Sequence, residues 1–351
     1  MKNTKSNWGS FAIAKLQAKR RSLLTIALIL TAIIPVYAQQ YNPESDFEID
    51  WDENVKDGVK ITKYIGTKKE VSIPPKIQGS PVVRAFGFME NKNITKVTIP
   101  NGVTWVGGFR NCTSLASVTL PDSVTSIGPI AFQNCTSLTS INIPNSVTAI
   151  GAGAFNGCKS LTSITLSNGI KGIYTFDTLG AFGGCTSLKN IIIPDSVTTI
   201  DDYSFYGCTS LTSIKIPNSV TKIGEEAFRG CTSLTNVTIG NSVTTIEKFT
   251  FYRCKSLTSV TIPNSVTTIK DFAFNECTSL ANITIPNSVT RIDSGAFEDC
   301  TSLTSVTFEG TISSGAFSQY DTFPGDLRAK YLDGGVGTYK RFANGTTWKK
   351  Q

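Results

Sequence analysis

The 351-residue sequence contains no histidine. Histidine is the commonest general base in proteins and the side chain that most often binds metal ions. Its absence excludes serine–histidine–aspartate triads and every zinc site that needs a histidine ligand. The nine cysteines form no close Cys-x-x-Cys pair, which a zinc site made of cysteines alone requires. We therefore expect no metal ion, no cofactor and no enzymatic activity.

Acidic residues are absent from the first 38 positions of the chain. This segment carries six basic residues, then the apolar run Leu23 to Ile34 and the ending Pro35 to Ala38. Such an order is typical of a secretory signal peptide, which we assign to residues 1–38. The apolar run has 12 residues, whereas a helix needs roughly 20 to cross a membrane. We expect export, cleavage after Ala38 and a mature chain without an integral membrane segment.

The mature chain also lacks an excess of charge of either sign. Of the 33 lysine and arginine residues, six lie in the predicted signal peptide, which leaves 27 basic residues against 26 acidic ones. A strongly basic surface is the electrostatic signature of nucleic-acid binding. The near-neutral balance therefore predicts that nucleic acid is not a partner.

One repeated unit accounts for most of the remaining sequence, and its cysteines mark the period. They lie at positions 112, 135, 158, 185, 208, 231, 254, 277 and 300. Every interval is 23 residues except the 27 residues between Cys158 and Cys185. A unit this short cannot bury its apolar edge alone, so neighbouring units must stack on it. The period therefore predicts a solenoid.

Within each unit the apolar residues keep fixed offsets, as in the unit that begins at Cys208. Its apolar residues are Leu211, Ile214, Ile216, Val220, Ile223, Ala227 and Phe228. The spacing L-x-x-I-x-I predicts a strand whose apolar side chains face inward and whose intervening side chains face outward. Pro217-Asn218 predicts a turn, because proline cannot donate to a ladder. A second extended piece, Val220 to Ile223, and the Ala-Phe turn complete one coil.

A phenylalanine recurs once per unit and allows the coils to be counted. The series is Phe88, Phe109, Phe132, Phe155, Phe182, Phe205, Phe228, Phe251, Phe274, Phe297 and Phe317. It predicts eleven coils, which at about 4.8 Å per coil form an array on the order of 50 Å long.

Both ends of the array depart from the pattern, as terminal caps of solenoids do. Residues 39–74 contain two extended stretches, near Phe47 to Trp51 and Val59 to Tyr64, and predict an N-terminal β cap with the entry to the first coil. Residues 75–317 are the solenoid. Residues 318–351 lose the register, and we expect them to cap the last coil.

The units resemble those of the BspA-like family of bacterial leucine-rich-repeat surface proteins. The segment from Cys254 to Ile269, Cys-Lys-Ser-Leu-Thr-Ser-Val-Thr-Ile-Pro-Asn-Ser-Val-Thr-Thr-Ile, matches the family repeat at nearly every position, and the match covers about residues 59 to 317. The resemblance implies a mainly β, right-handed leucine-rich-repeat solenoid of about eleven coils with N- and C-terminal caps. It also implies export to the cell surface and adhesion to host matrix proteins or neighbouring cells.

The cysteines admit two interpretations. Equivalent positions one coil apart are close enough for disulfides, which exported proteins commonly contain. Alternatively, each cysteine occupies an inward offset, where a free thiol packs as a small buried hydrophobe. The even spacing and the odd number of cysteines favour a ladder of buried free thiols.

The outward positions of the first strand in each unit predict the binding face, because the curvature of a solenoid forms an extended concave surface. Most of them are serine, threonine or asparagine. We select residues that differ from the repeat consensus, residues of the longer unit, and outward-facing residues beside them. These candidate ligand-binding residues are Trp105, Tyr174, Phe176, Asp177, Asn190, Ile192, Lys215, Asn236 and Thr238. Tyr174, Phe176 and Asp177 lie in the segment Tyr174 to Gly180, which contains the four extra residues of the longer unit, and insertions in solenoids often lie on the binding face.

Two functions remain open at this stage. The first is an adhesin-like module, secreted, periplasmic or at the cell surface, that recognises an extracellular protein or glycan through the concave β-face. The second is a passive structural or spacer protein without a specific ligand.

Overall fold

The computed structural model describes residues 41–318, 320, 322–342 and 345–351, and the predicted signal peptide lies outside them. Each repeat in Asn42–Gln351 except the last forms one coil with two short strands. In the coil that begins at Cys208, the strands are Ser213–Lys215 and Lys222–Ile223. The apolar side chains predicted to face inward in this coil are all buried, at most 4% exposed. The period therefore places the core correctly.

The first strand of every coil belongs to one parallel row, which we call the first strand row. Its strands are Glu70–Ser72, Lys96–Thr98, Ser117–Thr119, Ser140–Asn142, Ser163–Thr165, Asn190–Ile191, Ser213–Lys215, Asn236–Thr238, Ser259–Thr261, Asn282–Ile285 and Ser305–Phe308. Neighbouring strands pair in register, so that Ser213 lies beside Asn236 and Lys215 beside Thr238. The hydrogen-bonded ladder is interrupted three times, once between Asn190–Ile191 and Ser213–Lys215.

Every coil except the last has a second strand, and these strands form another parallel row, the second strand row. Its strands are Ser80–Ala85, Trp105–Val106, Ser126–Ile127, Ala149–Ile150, Gly172–Ile173, Thr199–Ile200, Lys222–Ile223, Thr245–Ile246, Thr268–Ile269 and Arg291–Ile292. The turn between the rows is closed by the main chain, since the Val220 N–H donates to the Pro217 carbonyl at 3.1 Å. Each of these ten coils therefore presents two outward strand faces, separated by a turn that contains the predicted proline in most coils.

A column of stacked phenylalanine rings runs through the core parallel to the stacking direction. Consecutive rings from Phe88 to Phe297 lie 4.7–5.7 Å apart and within 14° of parallel. The column then continues to Phe323, whose ring is 4.6 Å from that of Phe297. The prediction that Phe317 is the eleventh ring is wrong, because Phe317 pairs with Ile292 at the end of the second strand row. The last unit is irregular in length, so a prediction based on equal spacing selects Phe317 where Phe323 stacks.

The cysteines form a second column beside the rings, and the prediction that they are buried is confirmed. All nine are buried free thiols. The Phe132 carbonyl shows how they are held, because it accepts hydrogen bonds from the Cys135 N–H at 3.0 Å and from the Cys158 Sγ at 3.1 Å. One main-chain carbonyl thus closes its own turn and also accepts a hydrogen bond from the thiol of the following coil.

The N-terminal end is an antiparallel hairpin, Phe47–Trp51 with Val59–Tyr64, preceded by a short 3₁₀ turn at Glu44–Asp46. Its second strand starts the second strand row by pairing in parallel with Ser80–Ala85. The strand Lys76–Ile77 pairs antiparallel with Ser80–Ala85. The Phe47 and Tyr64 rings lie 5.5 Å apart, and Tyr64 stacks on Phe88 at 5.6 Å. The hairpin therefore covers the first ring of the phenylalanine column.

At the C-terminal end, a helix Leu327–Gly334 is followed by the strands Gly337–Lys340 and Lys349–Lys350. Gly337–Lys340 pairs antiparallel with Ser305–Phe308, the last strand of the first strand row. Phe308 contacts the Tyr331 ring of the helix at 4.2 Å, and Trp348 is fully buried. Aromatic packing therefore closes this end of the core.

The residue that precedes each cysteine has a left-handed backbone conformation. It is Asn111, Asn134, Gly157, Gly184, Gly207, Gly230, Arg253, Glu276 or Asp299, with φ between 56° and 73°. Glycine adopts this region without strain, whereas a side chain with a Cβ makes it unfavourable. The turn into each cysteine therefore has a conformational cost in the coils that lack glycine.

Replacing Gly207 by alanine tests this cost without a steric clash, because a Cβ at Gly207 would have no atom within 4 Å. We expect Gly207→Ala to lower the free energy of unfolding by about 1 kcal/mol, measured by urea denaturation. The control is Gly315→Ala, also in open space but without a positive φ. Equal stability of the two variants would show that the left-handed turn carries no cost.

Candidate functional site

The first strand row presents the predicted alternation of buried and exposed side chains. Ser213 and Lys215 are exposed on either side of the buried Ile214. Asn190, Ile192 and Lys215 lie together around an open cleft of about 520 Å³, between the coils that begin at Cys185 and Cys208. The cleft coincides with one of the interruptions of the ladder. The structure therefore brings three of the predicted site residues to one place.

Ile192 is the unusual residue of this cleft. Its side chain is 83% exposed, while the equivalent positions in the other coils hold polar or charged residues. They are Thr119, Asn142, Thr165, Lys215, Thr238, Thr261, Thr284 and Thr307. Asn236 and Thr238 are exposed on the next strand of the row and do not line the cleft.

Many repeated serine and threonine side chains of the array serve to join coils. Thr235 Oγ1 donates to the Thr212 carbonyl at 3.0 Å, and Thr258 Oγ1 donates to the Thr235 carbonyl at 3.2 Å. Ser265 Oγ donates to the Val243 carbonyl at 2.6 Å. These consensus hydroxyls are explained by stacking, so residues that depart from the consensus are better candidates for ligand contact.

Trp105 and Tyr174 are associated with the second strand row. The Trp105 indole lies over Gly107 and Gly128, where an added side chain would collide with it. Arg84 approaches the indole to 5.7 Å from its centroid, and the Phe86 ring lies 5.9 Å away. The Tyr174 ring lies over Gly172 and is 42% exposed. Neither residue lines the Ile192 cleft, which lies on the first strand row.

The insertion forms a small antiparallel hairpin, Thr175–Phe176 with Leu179–Gly180. Asp177 is at its tip, exposed and with a φ of 54°. Gly180 packs directly against the Tyr203 carbonyl of the next coil. The insertion therefore contacts the turn beside Tyr203.

That turn region contains a cluster which the sequence prediction missed. We call it the turn ridge, and its residues are Tyr203, Tyr206, Arg229, Phe249, Tyr252, Arg253 and Phe272. The Arg229 guanidinium lies 5.6 Å from the Tyr206 ring centroid and 5.0 Å from that of Tyr252. Phe249 and Phe272 stack at 5.1 Å. Tyrosine and arginine are enriched in the residues that dominate binding energy at protein interfaces.

A signal for the turn ridge is present in the repeat. Its aromatic residues occupy the positions two before and one after the core phenylalanine, which hold Gly153 and Asn156 around Phe155 but Tyr203 and Tyr206 around Phe205. The prediction of the binding face rests on outward strand positions, which do not include these turn residues.

Burial controls the chemistry of the cysteines. It raises the pKa of Cys112, Cys185, Cys231 and Cys300 to about 12. The thiolate is the nucleophilic and metal-binding form. Among the described residues, no group of three or more histidine, cysteine, aspartate or glutamate side chains could hold a metal ion. The cysteine column is therefore part of the core.

The parallel rows and stacked rings define a leucine-rich-repeat solenoid. Residues 82–323 match the BspA type leucine-rich-repeat region in three overlapping segments. The chain belongs to this family. Membership indicates a surface module of the kind that binds proteins. No curated protein sequence matches the chain.

Solved structures of bacterial proteins share the fold. A leucine-rich cell surface protein from Faecalibacterium prausnitzii is 27% identical, with a TM-score of 0.50 over 80% of this chain and 97% of that one. The pneumococcal vaccine antigen PcpA is 17% identical, with a TM-score of 0.50 over 80% of this chain and 84% of the other. Within the described residues, no helix is long and apolar enough to span a membrane.

The raised thiol pKa values predict slow alkylation of the folded protein. At about pH 8 the thiolate fraction falls as the pKa rises, and burial also blocks access. We expect iodoacetamide to leave the native cysteines unmodified and to label all nine after denaturation in urea, as measured by mass spectrometry. A Ser213→Cys variant, with its thiol on the exposed first strand row, is the control and should react at the rate of a free thiol. Rapid labelling of the native cysteines would contradict the buried column.

Proposed function

We propose that this chain is an exported, adhesin-like binding module that recognises an extracellular protein or glycan through the first strand row. Residues 1–38 act as the signal peptide in this proposal. The mature protein is released or held at the cell surface, or remains in the periplasm. Family membership and the similar cell surface protein of F. prausnitzii support a surface role. The proposed role is binding, without catalysis.

The exposed isoleucine of the cleft is the observation that carries this proposal. Folding leaves 83% of the Ile192 side chain in water, although an apolar residue is unnecessary at a position where most coils have threonine. Burying such a side chain contributes about 1.5–3 kcal/mol. A ligand that covers Ile192 gains this contribution.

Polar groups around Ile192 supply the directional contacts of the proposed site. Asn190, Asp195, Ser213 and Lys215 line the same cleft. An apolar centre with a polar rim is the usual arrangement of a protein-binding site. Asn236 and Thr238 extend the surface by one coil. Trp105, Tyr174, Phe176 and Asp177 would provide further contacts for a ligand large enough to reach the second strand row and the insertion.

Replacing Ile192 by threonine tests the site and leaves the fold intact, because threonine is the commonest residue at this position of the repeat. We expect the mature protein, residues 39–351, to bind at least one member of a panel of extracellular matrix proteins and surface glycans saturably. Ile192→Thr should then weaken that binding by roughly tenfold or more, measured by surface plasmon resonance.

The matched control is Thr119→Ala, an exposed change on the same row three coils away. It should leave the affinity unchanged. Binding that survives Ile192→Thr would move the site away from this cleft. A complete lack of saturable binding across the panel would favour the passive structural role instead.

A further inference from the structure

The turn ridge is built by alternating aromatic rings and guanidinium groups. Tyr206, Arg229 and Tyr252 follow one another in successive coils, and Arg253 lies 4.9 Å from the Tyr252 ring centroid. Arg229 also pairs with Glu226 at 2.7 Å. Cation–π contact is thus the recurring interaction of this surface.

The alternation stops at Tyr206. The equivalent position in the preceding coil is Gly183, which has no side chain to place against the ring. Tyr206 is 42% exposed, and among the described residues its cation–π and aromatic partners are Arg229 and the edge-on Tyr203 at 6.2 Å. The side of Tyr206 that faces the coil of Gly183 is therefore available to a group from outside.

Carboxylates lie beside Tyr203, in its own coil and in the coil that begins at Cys208. Burial raises the pKa of Tyr203, and the nearby carboxylates of Glu226, Asp202 and Glu225 raise it further. Asp201 is paired with Lys222 and Glu226 with Arg229. Asp202 accepts a hydrogen bond from the Glu225 N–H at 2.9 Å, and Glu225 itself is exposed. Asp202 and Glu225 thus leave a local excess of negative charge.

We propose that Tyr206 and Tyr203, with Asp202 and Glu225, form a second binding site that takes an arginine or lysine side chain of a protein partner. The incoming cation continues the sequence of rings and guanidinium groups at the point where Gly183 interrupts it. Its charge is complementary to the unpaired carboxylates. Arginine fits best, because its planar group stacks on a ring and also binds a carboxylate through two N–H groups.

This inference deepens the proposed function, since it names the chemistry of a partner protein. The insertion packs through Gly180 against the Tyr203 carbonyl, in the same turn as Tyr206. The site is separate from the Ile192 cleft, whose lining includes none of the turn ridge residues. The two proposals can therefore fail independently.

The probe is a fluorescent peptide of alternating glycine and arginine, titrated with the mature protein and followed by fluorescence anisotropy at about 0.15 M salt. We expect saturable binding, weakened about fivefold or more by Tyr206→Ala and retained by Tyr206→Phe, which keeps the ring face. A lysine peptide should bind more weakly, and a glutamine peptide should not bind.

Two variants with the same change in charge distinguish a specific site from nonspecific electrostatic attraction of the peptide. Glu225→Gln should weaken peptide binding, whereas Glu309→Gln, an exposed glutamate in another part of the array, should not. Ile192→Thr should also leave peptide binding unchanged, which distinguishes this site from the cleft. Equal losses in the two glutamine variants, or full affinity in Tyr206→Ala, would overturn the proposal. Binding of neutral oligosaccharides at Tyr206 in place of the peptide would overturn it too.

Discussion

The contact of each coil with the next is the interaction on which the whole structure depends. A coil of 23 residues is too short to enclose its own apolar side chains. Its phenylalanine ring, its thiol and many of its hydroxyl groups find their partners one coil away. The stability of the fold therefore comes from contacts between stacked coils. The residues that repeat are mostly those that a neighbouring coil contacts.

The same constraint explains why much of the fold was predictable from the sequence. Stacking in register requires identical offsets in each unit, so the period located the buried leucine, isoleucine and cysteine residues directly. The prediction was wrong at Phe317, because the last unit is irregular and equal spacing no longer identifies the residue that stacks. At the cap, packing on Phe297 selects Phe323 regardless of its distance along the chain.

The candidate site was only partly predictable. Ile192 and Lys215 stand out in the sequence because they break a polar consensus, and the structure gathers them at one cleft. Tyr206 and Arg229 belong to a turn, where contacts between coils depend on the direction of each side chain. The insertion adjoins the ridge because Gly180 permits close packing on Tyr203, a contact that requires coordinates to detect.

The antiparallel strands at both ends have a consequence for assembly. A parallel stack has no internal signal that stops its growth, since each exposed strand edge can accept another strand of the same direction. Here Phe47–Trp51 and Gly337–Lys340 run against the strands they cover. At the N-terminal end of the second strand row, a second molecule would meet a reversed strand instead of a continuation of its own row. At the C-terminal end the outermost strand is the two-residue, exposed Lys349–Lys350. A short edge strand made of lysine is a poor template for further pairing, so both caps oppose end-to-end polymerisation.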